Sequence, residues 1–141
     1  MSAVTIVDDY VSRLPGETRR LGTGEWGITV AAERAGGWPL DLGVRVADGL
    51  LRVQAFALAA DDAVNPWNFL HWNRGTRVVR FACTRGGDIW VHGDVPVSAV
   101  DEQQVDRLLG LVAEGAVAAR NAMADRKAPP REGAEGWGAL S

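Results

Sequence analysis

Two side chains of this sequence could together form a nucleophile and its base, the thiol of Cys83 and the imidazole of His92. A thiol gains nucleophilic character when a histidine or a helix amino terminus stabilises its thiolate. In the hairpin expected over residues 78–95, the two side chains lie diagonally on the same face. Cys83 stands in mid-strand between Ala82 and Thr84, where a packed core thiol is the more common role. A small enzyme or ligand-binding domain using Cys83 and His92 is therefore the alternative interpretation, and a protein without catalytic activity is the main one.

Other groups that could bind a metal or transfer protons are few. The chain has two histidines, and no second ligand follows His71 at i+3 or i+4. A single cysteine excludes a metal site built from several thiolates. Adjacent acids occur as Asp8-Asp9 and Asp61-Asp62, but neighbouring side chains diverge on a helix and are solvated in a loop. We predict no catalytic residue, no metal site and no cofactor.

Composition narrows the possible partners. The 141 residues are 47% hydrophobic and 23% charged, which is typical of a folded globular domain. A formal net charge of -3 and a pI of about 5.3 argue against nucleic-acid binding, because that affinity depends on cations that neutralise phosphates. No apolar run approaches the ~18 residues of a membrane span, and the first residues lack the cations of a signal peptide. We expect a cytoplasmic protein that binds neither nucleic acid nor membrane.

Periodicity predicts an amphipathic helix followed by strands. Apolar residues at helical spacing over residues 3–14 precede Pro15-Gly16, which should end the first helix. A strand follows from Trp26 to Ala32, and two more flank Asp48-Gly49, the strongest short hairpin signal. With that pair as a two-residue loop, Val44 faces Val53 and one face of the hairpin is apolar while the other is mostly polar.

A short helix and a second hairpin follow. Asn65-Pro66 predicts a helix amino terminus, and the helix from Pro66 to about Arg74 is apolar around most of its circumference. The strands Val78–Thr84 and Asp88–Val95 join across Arg85-Gly86-Gly87. One predicted face carries Val78, Ala82, Ile89, Val91 and Val95, and the other carries Val79, Phe81, Cys83 and Trp90.

A hairpin that is apolar on both faces is either central and covered or part of an interface. Aromatic side chains contribute a large share of the binding energy at interfaces. We therefore predict that a partner binds at four aromatic residues of the short helix and the second hairpin: Trp67, Trp72, Phe81 and Trp90.

A long amphipathic helix from about Val100 to Met123 should cover the apolar face of the sheet. The predicted fold is α+β: an antiparallel sheet with the order helix, three strands, short helix, two strands, long helix, and with the helices packed on one face. One domain is expected over residues 1–126. Residues 127–141 are rich in Gly and Pro without periodicity and are predicted to be a disordered tail.

Residues Trp38 to Ala116 resemble the YbjN family of bacterial proteins, which are described as sensory transduction regulators and are similar in fold to type III secretion chaperones. The resemblance rests on three stretches and the helix that follows them: WPLDLGVRVADGLLRVQA, NFLHWNR, RFACTRGGDIWVHGDVPVSAV and VDRLLGLVAEGA. The order of elements is also that of the family. It implies a sheet flanked by helices, frequent dimerisation and binding of polypeptide partners, with no catalytic residues to transfer. The expected function is a non-enzymatic protein-binding or regulatory module that acts as a homodimer.

Overall fold

A computed structural model describes residues 1–123. The tail predicted over residues 127–141 lies outside the described residues. Helices α1, α2 and α3 and strands β1 to β6 have the following bounds: α1 Ala3–Ser12, β1 Glu17–Gly22, β2 Glu25–Val30, β3 Leu40–Ala47, β4 Leu50–Leu58, α2 Pro66–Trp72, β5 Val79–Cys83, β6 Ile89–Pro96 and α3 Glu102–Ala122. Short 3-10 turns occupy Ala32–Arg34 and Val97–Ala99.

The six strands form one antiparallel sheet in the spatial order β1-β2-β3-β4-β6-β5. The α+β class, the antiparallel sheet and the helices on one face confirm the prediction. The predicted number of strands was wrong by one, because β1 precedes the three strands expected before the short helix. Its sequence, ETRRLG, is almost wholly polar and largely exposed, so it lacks the alternating apolar residues by which a strand is recognised.

The central hairpin has the predicted register. Val44 pairs with Val53 and Arg45 with Arg52 across the Asp48-Gly49 turn. Asp48 and Gly49 both have positive φ, at 55° and 77°. A type I′ turn requires these values at both central residues, and its twist matches that of the strands. The turn chemistry therefore fixes which residues of β3 and β4 share a face.

All three helices lie on one face of the sheet, here called the helical face. Helix α3 begins at the N-cap Asp101, whose carboxylate accepts a hydrogen bond from the Gln104 amide at 2.8 Å. It packs over β4 and β6, and Gly93 of β6 leaves room for it: a Cβ there would lie 2.5 Å from a methyl carbon of Leu108. The buried residues of this interface form the core: Val44, Leu51, Val53, Ala55, Val91, Val105, Leu108 and Val112.

Arg120 attaches the last turn of α3 to the chain that precedes β3. Its guanidinium is buried and donates hydrogen bonds to the carbonyl oxygens of Ala35, Trp38 and Pro39 at 2.6, 2.7 and 3.1 Å. It also lies 4.4 Å from the centre of the Trp38 ring. Burial lowers the pKa of Arg120 to about 10, and the three carbonyl groups solvate the charge that remains. The end of α3 is thereby fixed at the end of the sheet where β3 starts.

The predicted faces of the second hairpin were wrong. Cys83 pairs with Ile89 and Phe81 with Val91, so these four side chains share the helical face. Trp90 and His92 point to the opposite face, here called the distal face. A displacement of one residue moves every side chain of a strand to the other face, and the three-residue loop after Thr84 determines this register. The predicted proximity of Cys83 and His92 on one face is therefore wrong as well.

Candidate partner-binding surface

Helix α2 is short, and its ends are defined by polar side chains. The Asn65 side chain accepts a hydrogen bond from the Trp67 amide at 3.0 Å, and Pro66 occupies the first helical position. This is the predicted amino terminus, and both residue types favour it. The helix ends at Asn73, whose backbone N–H bonds to the Phe69 carbonyl at 3.0 Å. Seven residues are too few for a stable isolated helix, so α2 depends on what it packs against.

An aromatic cluster holds α2 on the edge of the sheet. Phe69 is buried and lies with its ring centre 5.1 Å from that of Phe81 on β5 and 5.1 Å from that of Trp72. Trp72 and Phe81 are 5.9 Å apart with an edge-on geometry. Tilted and edge-on pairs at these distances are the favourable arrangements of aromatic rings. Two of the four predicted partner-binding residues, Trp72 and Phe81, are thus in direct contact.

The outer side of α2 is apolar and exposed. Trp67 is 75% exposed and Leu70 is 56% exposed, and Trp72 and Val78 are also exposed. We call these four residues the α2 surface. A Trp this exposed is unusual in an isolated domain, because large apolar side chains are normally at least half buried. Contiguous exposed apolar groups of this kind are typical of interaction sites.

A groove of about 610 Å³ adjoins the α2 surface. It lies on the helical face between α2, β5 and α3, and most of its walls are apolar. Its lining residues are Trp72, Gly75, Thr76, Arg77, Val79, Arg80, Phe81, Val91, Leu111, Glu114, Gly115 and Ala118. Three of its lining residues are charged, Arg77, Arg80 and Glu114, and a mostly apolar wall with a few polar groups is usual in binding sites.

The exposed edge of β5 is already occupied at its centre. The side-chain amide of Asn73 donates to the Phe81 carbonyl at 3.0 Å, and its oxygen accepts from the Phe81 amide at 2.7 Å. Asn73 therefore takes the place that a residue of a neighbouring strand would have. Natural sheets protect exposed edges in comparable ways. An incoming extended segment cannot pair with Phe81 unless Asn73 leaves.

Val78 connects α2 to β5 through a strained backbone. Its φ is 69°, a value that is rare for β-branched residues. The Val79 amide bonds to the Arg77 carbonyl at 2.7 Å, which closes a γ-turn of the rare form with positive φ at the central residue. The Val78 side chain is 40% exposed, and its neighbours Arg77 and Val79 line the groove.

The remaining residues singled out from the sequence lie apart from the α2 surface. Trp90, the fourth predicted partner residue, is 1% exposed on the distal face, where its ring lies edge-on to Phe56 at 5.3 Å. Cys83 is exposed, and its thiol bonds to the Thr84 carbonyl at 3.1 Å. With His92 on the other face, the sheet separates the thiol from the imidazole. The alternative function that used these two residues is not supported.

Three of the four adjacent acids make structural contacts. Asp8 accepts from the Trp26 indole at 2.9 Å, whereas Asp9 forms an ion pair with Arg13 at 3.2 Å. Asp61 caps a turn by accepting from the Ala63 amide at 2.9 Å. Within residues 1–123, no group of three or more His, Cys, Asp or Glu side chains could hold a metal ion. No helix in the same range is long and apolar enough to cross a membrane.

The distal face contains the most perturbed imidazole. Burial, together with the nearby guanidinium groups of Arg52 and Arg80, lowers the pKa of His92 to about 4. Asp94 lies next to it and accepts hydrogen bonds from Arg52 at 2.6 Å and from Arg80 at 2.9 Å. Burial alone would raise the pKa of Asp94, but these two hydrogen bonds outweigh it and hold the pKa below its ordinary value. His92 is therefore neutral near pH 7.

This arrangement of helices over one face of an antiparallel sheet is the fold of type III secretion chaperones. The chain matches the Yersinia pestis chaperone SycH, solved with a fragment of YscM2, at a TM-score of 0.63 and 12% identity, over 84% of this chain and 99% of that one. It matches the chaperone–effector complex of SchA and HopA1 at 0.65 and 11%, over 83% and 91%. YbjN from E. coli matches at 0.64 and 12%, over 85% and 92%.

The chain belongs to the YbjN family, whose model matches residues 45–125 and is described as "Putative bacterial sensory transduction regulator". This confirms the resemblance seen in the sequence. The match begins in β3 and ends just beyond α3, so it includes α2, the groove and the second hairpin. No curated protein matches the sequence.

Proposed function

We propose that this protein is a non-enzymatic protein-binding module that holds an apolar segment of a polypeptide partner on the α2 surface and in the adjoining groove. The observation that carries the proposal is the exposure of Trp67 and Leu70 on a helix fixed to the domain by a buried aromatic cluster. Two of the proteins that share the fold, SycH and SchA, were solved with polypeptide partners, which supports the same class of function here.

The geometry favours side-chain insertion over strand addition. Asn73 occupies the centre of the β5 edge, so a partner cannot extend the sheet there without displacing it. The groove beside it offers Val79, Phe81 and Leu111 as apolar contacts. A helical or irregular segment with two or three large apolar side chains fits this site, since such segments bind through spaced anchors in a groove.

Site-specific photo-crosslinking tests the proposal. A photoreactive phenylalanine at position 67 should form adducts with a partner in the native cell, and the adducts should disappear when Leu70 is changed to Ser. The matched control places the same group at Leu21, which is 44% exposed on β1. Adducts of equal yield at positions 67 and 21, or none at 67, would contradict a binding site on α2.

The proposal also includes a homodimer, a regulatory role and a cytoplasmic location. The family resemblance supports action as a homodimer and a regulatory role, and the single cysteine suits a reducing cytoplasm. Sedimentation equilibrium of the full chain tests the dimer, and a monomer at tens of micromolar would contradict it.

The proposed absence of catalysis is supported mainly by the separation of Cys83 from His92. Alkylation of Cys83 at the rate of an ordinary exposed thiol is the expected result.

A further inference from the structure

Another cavity lies on the helical face, on the side of α3 that is remote from α2. Its volume is about 380 Å³, within the range of roughly 300–1,000 Å³ that is usual for small-molecule sites. Residues of α1, β1, β2 and α3 surround it. Asp106 and Ala113 of α3 line this cavity, whereas Leu111 and Ala118 line the groove beside α2. Helix α3 therefore separates the two sites.

The buried part of the cavity lining is aliphatic. Ile28, Leu42 and Leu109 all line the cavity, and they are 7%, 2% and 7% exposed. Ile28 of β2 pairs with Leu42 of β3, so the two side chains share the helical face. An aliphatic group placed against them would leave water, which is favourable by about 25 cal/mol for each Å² of apolar area.

Gly110 keeps one wall of this cavity free of side chain. Glycine inside a helix is less favourable than alanine by roughly 0.5–1 kcal/mol. A Cβ at Gly110 would meet no atom within 4 Å apart from its chain neighbours and the backbone of α3, so close packing does not require this glycine. Gly115 differs, because a Cβ there would lie 3.1 Å from Val91. Since Gly110 lines the cavity, a large side chain there would narrow it.

Two opposite charges stand in the lining, one on α3 and one on the 3-10 turn after β2. Asp106 accepts a hydrogen bond from the Tyr10 hydroxyl of α1 at 2.5 Å, which fixes the position of its carboxylate. Arg34 ends the 3-10 turn and also lines the cavity. No ion pair within residues 1–123 includes Arg34, so the two charges do not neutralise each other directly.

The third charged residue of the lining, Glu17, is directed away from the cavity. It pairs with Thr29, whose hydroxyl donates to Asp41 at 2.7 Å on the distal face. Paired residues of neighbouring strands have their side chains on the same face. The carboxylate of Asp106 is therefore the acidic group that the cavity offers on the helical face.

Tyr10 leaves half of the Asp106 carboxylate available. Burial, together with the hydrogen bond to Asp106 and the charge of that residue, raises the pKa of Tyr10 to about 12. The phenol therefore stays protonated near pH 7 and remains the donor to one carboxylate oxygen. A carboxylate accepts hydrogen bonds on both oxygens, so the second oxygen can accept from a ligand.

From this combination of groups we propose that the cavity binds a free α-amino acid with an aliphatic side chain. The ammonium group bonds to Asp106, the carboxylate bonds to Arg34, and the side chain packs against the aliphatic lining. A ligand with a single charge would leave one of the two residues without a partner, and a purely apolar ligand would leave both, which costs affinity. Because α3 separates this cavity from the groove, the site is independent of the proposed function.

Isothermal titration calorimetry of the full chain with L-leucine tests the assignment. L-Leucine should bind with a Kd of about 1 mM or lower. L-Leucinamide lacks the carboxylate and N-acetyl-L-leucine lacks the ammonium group, so each should bind at least about tenfold more weakly. Gly110→Leu narrows the cavity and should abolish binding. Ala118→Leu, the matched change on the groove side of α3, should retain it.

Two charge variants test the assignment even if Gly110→Leu disturbs the fold. Arg34→Gln should weaken L-leucine about tenfold and leave L-leucinamide unchanged, because the amide has no carboxylate to lose. Asp106→Asn should weaken L-leucine and leave N-acetyl-L-leucine unchanged. Absence of L-leucine binding at about 10 mM would overturn the proposal. Equal losses for L-leucine and L-leucinamide in Arg34→Gln would overturn it as well.

Discussion

The α2 surface and the distal face show opposite combinations of polarity and exposure. The α2 surface presents apolar Trp67 and Leu70 to solvent, whereas the distal face buries polar Gln54 and His92. Both combinations have a cost, because exposed apolar area favours association and buried polar groups need partners. The exposed apolar surface is suited to a partner that arrives from outside. The buried polar groups of the distal face instead make the stability of the fold depend on pH.

A large effect of pH on stability is expected from the distal face. The pKa of His92 is lowered to about 4 in the folded chain, against an ordinary value of about 6.5. Between these values the unfolded chain binds the proton more tightly, so stability is full above about pH 6.5 and falls as the pH drops toward 4. The loss should approach about 3 kcal/mol. Urea denaturation at pH 7 and pH 4.5 measures it.

The control for this prediction is a matched pair of histidine variants. His92→Gln should remove this part of the pH dependence, and His71→Gln, on the exposed helix α2, should retain it. If both variants lose stability toward pH 4.5 in the same way as the unmodified chain, His92 is not the group responsible and the distal face is more open than described.

The next largest effect on stability is expected from Asn73, which occupies the exposed edge of β5. Asn73→Ala removes both hydrogen bonds to Phe81 and leaves its amide and carbonyl unpaired, so stability should fall by about 2 kcal/mol. The freed edge should also increase self-association, measurable by light scattering. Asn68→Ala, on the exposed side of the same helix, is the control and should change neither property. If Asn73→Ala changed neither stability nor self-association, water would be replacing the side chain without loss of free energy.

How far the sequence predicts these features depends on what determines each one. The Asp48-Gly49 turn and the Asn65 cap act locally, and both were predicted correctly. The face of Trp90 depends on how the loop after Thr84 closes, which apolar alternation does not define because both faces carry apolar residues. β1 is held by pairing with β2 rather than by burial of its own side chains. Exposure of Trp67 follows from where α2 packs, and no local pattern encodes that.

A smaller effect is expected at Val78, where the backbone between α2 and β5 is strained. Val78→Asn should raise stability by about 1 kcal/mol, because asparagine adopts positive φ more readily than a β-branched residue. Thermal unfolding is the measurement. Val97→Asn is the control, since Val97 is also exposed but lies in a 3-10 turn with ordinary backbone angles. A gain at both positions would reflect polarity and not relief of strain.

The smallest effect on stability should come from Trp67, the most exposed residue of the proposed binding surface. Trp67→Ser removes an exposed side chain and should change the free energy of unfolding by less than about 0.5 kcal/mol. In contrast, Phe69→Ala, two residues away in the buried cluster, should lower the free energy of unfolding by about 3–5 kcal/mol. Denaturant titration of both variants checks the difference. A large loss for Trp67→Ser would mean that this indole supports the fold and is not available to a partner.

The attachment of α3 by Arg120 has a consequence for how the fold can open. Its three hydrogen bonds join the last turn of α3 to the residues just before β3, more than eighty positions earlier in the sequence. Neither segment can leave the domain without leaving buried polar groups unpaired, which is costly. Local opening of the two segments should therefore occur together, as one cooperative unit.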